Sequence, residues 1–168
     1  YSLLSLGIFM SEQSPEFIPL AGIRLGSTAA GIRYRNRKDL VIIELAAGSA
    51  CAAVFTRNQF CAAPVVVARD HLARNQPRFL LINSGNANAG TGEEGLRAAT
   101  ESCRSLAALR GCHVDQVLPF STGVIGETLP LERLALALPD ALSSLNENGW
   151  LDAAHAINAH NIGREMNQ

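Results

Sequence analysis

The alternation of hydrophobic and polar positions divides the chain into a strand-like first half and a helical second half. Residues 40–46 (LVIIELA) form an unbroken apolar run behind a charged turn, the pattern of a strand buried on both faces. Residues 52–56 (AAVFT) and 64–69 (PVVVAR) repeat that β-branched character, and residues 78–83 (RFLLIN) run into a Gly/Asn-rich stretch, so three more strands are predicted. From 93 to 110 the period changes. Leu96, Ala99, Cys103, Leu106 and Ala107 recur at helical spacing. Glu93 and Glu94 fall in the first turn and Gly111 follows Arg110, which suits the charge preference of a helix start and the glycine preference past its end. Residues 117–120 predict a short strand feeding 121–126 (STGVIG). A second helix is expected from near Pro130, a residue suited to a first turn, through Leu131, Leu134 and Leu138. Pro139 should break or kink it before 141–145 resume, and 150–157 (WLDAAHAI) predict a third helix. Strands come first and helices later, without regular β-α-β alternation. The expected class is therefore α+β, sheets layered with helices.

Composition narrows the reading without naming a function. A chain of 168 residues suits one domain, and 48% apolar against 17% charged residues describes a folded chain, not a disordered one. Net charge is −1, and the one dense basic patch (Arg33, Arg35, Arg37 and Lys38, beside Asp39) reads as a solvated turn before a strand. A nucleic-acid binder would show a basic face or stripe, so no nucleic-acid partner is expected. The cysteines at 51, 61, 103 and 112 form no Cys-x-x-Cys pair and have no histidine at metal-ligand spacing, so no metal is expected. Cys51, Cys61 and Cys103 sit among Ala, Val and Leu as small core residues, consistent with a reduced, cytoplasmic setting. No apolar run approaches the length that crosses a bilayer, and no membrane partner is expected. Residues 1–9 (YSLLSLGIF) lack the charged start and cleavage site of a signal peptide. They read as an upstream or non-native extension before a natural start at Met10.

Two segments could carry chemistry. The loop 83–92 is rich in Asn and Gly, which tolerate left-handed backbone and can turn several amides inward. Its spacing matches neither G-x-x-x-x-G-K-[ST] nor G-x-G-x-x-G, so a tight strand-to-helix connection and a substrate-shaping loop both remain open. The pair Thr122-Gly123 follows a strand. Acyl transfer passes through a tetrahedral oxyanion, and a Thr hydroxyl with a Gly amide can donate to it, although an ordinary Ser-Thr-Gly turn has the same residue types. His71, His113, His155 and His160 have no Ser or Cys partner in a recognisable context and read as surface or packing residues. Glu93-Glu94 reads as a helix start, not an acid/base pair.

Taken in order, five blocks are more specific than any one of them. They are Arg37-Lys38-Asp39-Leu40, residues 53–58 (AVFTRN), residues 61–65 (CAAPV), residues 83–89 (NSGNANA) with Thr91-Gly92, and residues 121–126 (STGVIG). The series resembles the N-terminal, α-chain part of the ornithine acetyltransferase (glutamate N-acetyltransferase) family over roughly residues 19–157. The resemblance implies a layered sheet-and-helix sandwich of the type shared with self-cleaving aminopeptidases. It implies an enzyme of arginine biosynthesis that moves acetyl from N-acetylornithine to glutamate, with acetyl-CoA a possible second donor and no bound cofactor. It also implies a precursor that cuts itself before a Thr, the nucleophile of a β chain that assembles with the α chain as an α2β2 heterotetramer. Thr122 and Gly123 match the family's oxyanion-hole pair.

After a helix like 150–157, family members continue with Met-Thr-Thr-Asp-Thr, a Lys and later Asn-Met-Ala-Thr, whereas residues 158–168 read NAHNIGREMNQ. No substrate-binding residue and no nucleophile can be carried over. The expected organisation is an extension over 1–9, an α-chain-like body over 10–157 and a divergent tail over 158–168, with no transferase activity from the chain alone. The alternative of another class is a non-catalytic module that binds a small ligand or assembles with a partner through the 83–92 loop.

Overall fold

The structure is a computed structural model that describes residues 17–158. The proposed extension over 1–9 and nearly all of the proposed tail lie outside the described residues. Four strands form one sheet in the order β1 (Ile23–Thr28), β2 (Leu40–Leu45), β3 (Phe79–Asn86) and β4 (Val117–Val124). The first two pairings are antiparallel and β3 with β4 is parallel. Four α-helices, α1 (Ala63–Arg74), α2 (Gly92–Arg110), α3 (Leu131–Ser143) and α4 (Trp150–Ile157), and a short 3-10 helix at Val114–Gln116 complete the described elements.

The apolar run of β2 is explained by burial on both faces. Leu40 and Ile42 join one core with Leu81, Val117 and residues of α1, α2 and α3, while Val41 joins a second core with Leu25, Ala153 and Ala156. Period-two alternation thus sends successive residues to different cores, and the one charge in the strand, Glu44, is buried only in company with Arg24 and Arg110. Full burial of a Leu such as Leu81, Leu106 or Leu138 contributes about 2–3 kcal/mol.

Four expectations are corrected. Residues 64–69 are helical, inside α1: Pro64 takes a first-turn position, and Val67 and Ala68 bury one face against the sheet, so packing overrides β-branched propensity. Residues 52–56 belong to no strand, and Val54 is fully exposed. Pro139 does not end its helix. It sits on the exposed face of α3, while Leu134, Leu138 and Ala141 hold the buried face. Finally, β3, α2 and β4 form a β-α-β unit, because parallel neighbours need a crossover that a hairpin cannot supply.

Smaller differences follow the same logic. Strand β1 was not foreseen, and Gly26 explains why: a Cβ there would lie 2.1 Å from the Ala141 carbonyl oxygen, so close approach to α3 dictates a residue with poor strand propensity. Strand β4 extends past Phe120 to Val124. Cys103 is a core residue as expected, whereas Cys51 and Cys61 are only half-buried. Helix α2 starts with Glu93 and Glu94 and ends on Gly111 in the left-handed conformation, as its sequence predicts.

Candidate functional site

The crossover through α2 places two separate sequence blocks side by side. In the parallel ladder Asn83 pairs with Ser121, Ser84 with Thr122, Gly85 with Gly123 and Asn86 with Val124. Thr122 and Gly123 therefore lie at the carboxyl ends of β3 and β4, the end of a parallel pair where ligands commonly bind. Both are half-buried, and the Thr122 hydroxyl has no hydrogen-bond partner among the described residues.

Glycine is required where the two blocks meet. Gly123 has φ +136, and a Cβ on it would lie 2.3 Å from Gly85 C and 2.5 Å from Asn86 N. Gly85 has φ +95, and a Cβ there would meet Arg33 Cβ at 2.9 Å. The chain can thus stack Arg33, Gly85 and Gly123 backbone against backbone, which no larger residue at either glycine permits.

The asparagines of 83–88 are scaffold. Asn83 Nδ2 donates to the Asn86 carbonyl at 2.8 Å and its Oδ1 accepts from Ser121 Oγ at 2.6 Å. Asn86 Nδ2 donates to the carbonyls of Glu127 (3.0 Å) and Thr128 (3.2 Å), and Asn86 Oδ1 accepts the Asn88 amide at 2.8 Å. Asn88, with φ 44, donates to the Gly95 carbonyl at 2.9 Å and accepts from Thr91 Oγ1 at 2.9 Å. The buried amides satisfy one another, as burial demands, and tie the β3–α2 connection to the segment after β4. The loop is a strand-to-helix connection whose asparagine side chains hold backbone in place.

Sequence reasoning overlooked three neighbours. Ser84, opposite Thr122, donates from Oγ to the Ile157 carbonyl at 3.3 Å, so the C-terminal end of α4 arrives beside this pair. Asp39, immediately before β2, accepts the amides of Ala30 and Ile32 at 2.6 Å each. Burial pushes its carboxyl above the usual range, and the backbone amides around it act against that shift. Arg33 pairs with Glu127 at 2.9 Å across the same end of the sheet. Only the Asn/Gly composition hinted at these contacts, and it gave no partner.

The histidines do not join the site. His71 is buried with Nδ1 2.8 Å from the Val117 carbonyl oxygen, His113 lies 2.9 Å from Asp115 Oδ1, and His155 is exposed on α4. His160 lies outside the described residues. Among the described residues no group of three or more His, Cys, Asp or Glu could hold a metal ion.

A mixed sheet layered with helices, with a Thr-Gly pair at the end of two parallel strands, is the framework that similarity to known proteins assigns to a family. The ArgJ family profile matches residues 24–162, and the chain belongs to the ArgJ family. The arginine biosynthesis bifunctional protein ArgJ of Methylococcus capsulatus is 62% identical over 139 residues, covering 83% of this chain and 34% of its own length. The protein of the same name from Psychrobacter arcticus is 54% identical over 144 residues, covering 85% and 35%. The chain thus spans about a third of the length of the curated relatives it matches. Among solved structures, an ornithine acetyltransferase of Mycobacterium tuberculosis complexed with ornithine aligns with TM-score 0.78 and 34% identity, over 83% of this chain and 76% of that one. The Bacillus halodurans arginine biosynthesis bifunctional protein ArgJ aligns with TM-score 0.71 and 32% identity, over 82% and 70%.

Proposed function

We propose that this chain supplies the oxyanion-binding part of a glutamate N-acetyltransferase, which carries acetyl from N-acetylornithine to glutamate in the cytoplasm and accepts acetyl-CoA as a further donor. The observation that carries the reading is the in-register pairing of Ser84-Gly85 with Thr122-Gly123, at a strand end where the Thr hydroxyl has no partner among the described residues. The Gly123 amide, next along the same strand end, is taken as the second donor, and the missing side chain leaves room for a substrate to approach it.

The chemistry follows from those two donors. A nucleophile attacks the acetyl carbonyl, and negative charge develops on its oxygen. Thr122 Oγ–H and Gly123 N–H, held by the ladder before the charge appears, donate to that oxygen. Each such donor is worth about 10²–10³ in kcat in comparable sites. The ornithine amine departs with a proton, the acetyl group stays on the enzyme, and the glutamate amine then attacks it through a second oxyanion in the same hole.

The nucleophile is assigned to a Thr on a second, β-like chain, in an assembly of two copies of each. The open edge of β4 suits such a partner. Beside it, residues 53–56, α1 and Leu118, Pro119 and Phe120 line an apolar recess of about 320 Å³. Phe60 is 70% exposed, and unpaired edges with apolar surroundings accept an added strand.

Incubating the 168-residue chain with N-acetylornithine and glutamate should give no turnover. A chimera in which residues 24–158 replace the equivalent third of the Methylococcus relative should turn over. Turnover by the chain alone above a Thr122→Ala control would overturn the assignment of the nucleophile, and a folded but inactive chimera would overturn the acetyl-transfer reading.

A further inference from the structure

The turn from β1 to β2 carries the densest basic patch of the sequence, and acetyl transfer as derived above does not use it. It is an ordered element. Asp39 clamps it by accepting the Ala30 and Ile32 amides, and Gly85 lets Arg33 lie directly against β3. The turn therefore sits at the carboxyl ends of β3 and β4, the end that holds Thr122 and Gly123. From α3, Arg133 reaches back and donates to the Gly31 carbonyl at 3.0 Å.

Between these segments lies a recess of about 400 Å³ lined by Ala29, Ala30, Gly31, Arg35 and Arg133. Its neighbours are already neutralised: Arg33 pairs with Glu127, and Lys38 with Asp152 at 2.7 Å. Arg35 and Arg133 form no ion pair with any described residue. A recess whose charged lining residues are two exposed arginines, and whose other lining residues are small, favours an anion. A carboxylate is filled by the fork of one arginine, whereas a phosphate has oxygens enough for two.

We propose that Arg35 and Arg133 form a phosphate-binding subsite beside the Thr122-Gly123 end of the sheet. The phosphate belongs either to a phosphate-bearing acyl carrier or to a free phosphate. That it accompanies an acyl donor rests on the acetyl-transfer reading. That a phosphate binds does not, so the two fail separately.

The test is an NMR titration of the arginine Nε–H signals of the 168-residue chain with inorganic phosphate, coenzyme A and glutamate, at low and high salt. Phosphate and coenzyme A should shift the Arg35 and Arg133 signals, with affinity falling as salt screens the charges. Arg35→Gln should weaken phosphate binding about tenfold, the loss of one charge-assisted contact, while Arg69→Gln on α1 leaves it unchanged. Coenzyme A binding more tightly than phosphate identifies the carrier as the source. Equal binding identifies free phosphate, and either result supports the subsite. The proposal is overturned if Arg35→Gln, with an unchanged melting curve, binds phosphate as the parent chain does. It is equally overturned if glutamate matches phosphate at these signals.

Discussion

Gly123→Ala tests whether two distant sequence blocks are locked together by backbone contact. The added methyl would sit 2.3 Å from Gly85 C, 2.5 Å from Asn86 N and 2.7 Å from Gly85 Cα. All three are backbone atoms of the adjacent strand, so no side-chain rotation relieves the overlap. The residue also has φ +136, which L side chains rarely adopt. Positive φ costs a non-glycine residue about 1–2 kcal/mol, and forcing an extra carbon into packed structure about 1–3 kcal/mol more. Together they predict a loss of about 2–5 kcal/mol, or roughly 5–20 °C in Tm for a domain of this size. Calorimetric melting of the parent and the variant measures it, with Gly92→Ala as the control. Gly92 also has positive φ, +56, but nothing lies within 4 Å of a Cβ placed there. The control should cost only about 1–2 kcal/mol. Equal melting of the two variants would refute the claim that close approach of Gly85 and Gly123 demands glycine.

Three further outcomes are expected. Gly95→Ala would put a Cβ 1.9 Å from Thr91 Oγ1 and 2.7 Å from Asn88 Oδ1, breaking the loop network, and should destabilise by about 2–4 kcal/mol in denaturant melts. Burial raises the folded-state pKa of Asp39 above the usual carboxylate range, so its titration favours folding when the group is protonated. That contribution is complete below the unfolded pKa and is lost as pH rises through the raised folded pKa. The stability gap between the parent and Asp39→Asn should therefore widen on acidification, and a gap that narrows would contradict the burial argument. Cys103 is fully buried with its thiol pushed up to about 12, so a thiol reagent at neutral pH should modify Cys51, Cys61 and Cys112 before it, read by mass spectrometry.

How much was legible in the sequence depended on whether local pattern and tertiary demand agreed. They agree in α2, where Glu93, Glu94, the Leu96–Ala107 spacing and Gly111 all specify the same helix. They agree in β2, whose apolar run reports burial on both faces. They conflict in α1, where Val65, Val66 and Val67 favour a strand but Pro64 and burial on the sheet set a helix. In β1, Gly26 answers to a carbonyl of α3 that no local pattern reveals. Residues 52–56 have strand composition without a strand partner among the described residues. The site was legible only in part. Thr122 and Gly123 were chosen for their chemistry and by resemblance, but their register with Ser84 and Gly85 arises from the α2 crossover. The clamping of the basic turn by Asp39 is local, but Arg35 and Arg133 come to line one recess from two separate segments, the turn and α3. Sequence spacing carries no signal for that.

The central claim is that Thr122 and Gly123 receive the oxyanion of acetyl transfer. It is tested most directly by measuring kcat and KM for N-acetylornithine and glutamate in the chimera, with Thr122 intact and with Thr122→Ala. The account predicts a fall in kcat of about 10²–10³, with KM nearly unchanged, because the hydroxyl acts on charge present only in the transition state. A folded Thr122→Ala chimera with kcat within a few-fold of the parent would contradict it.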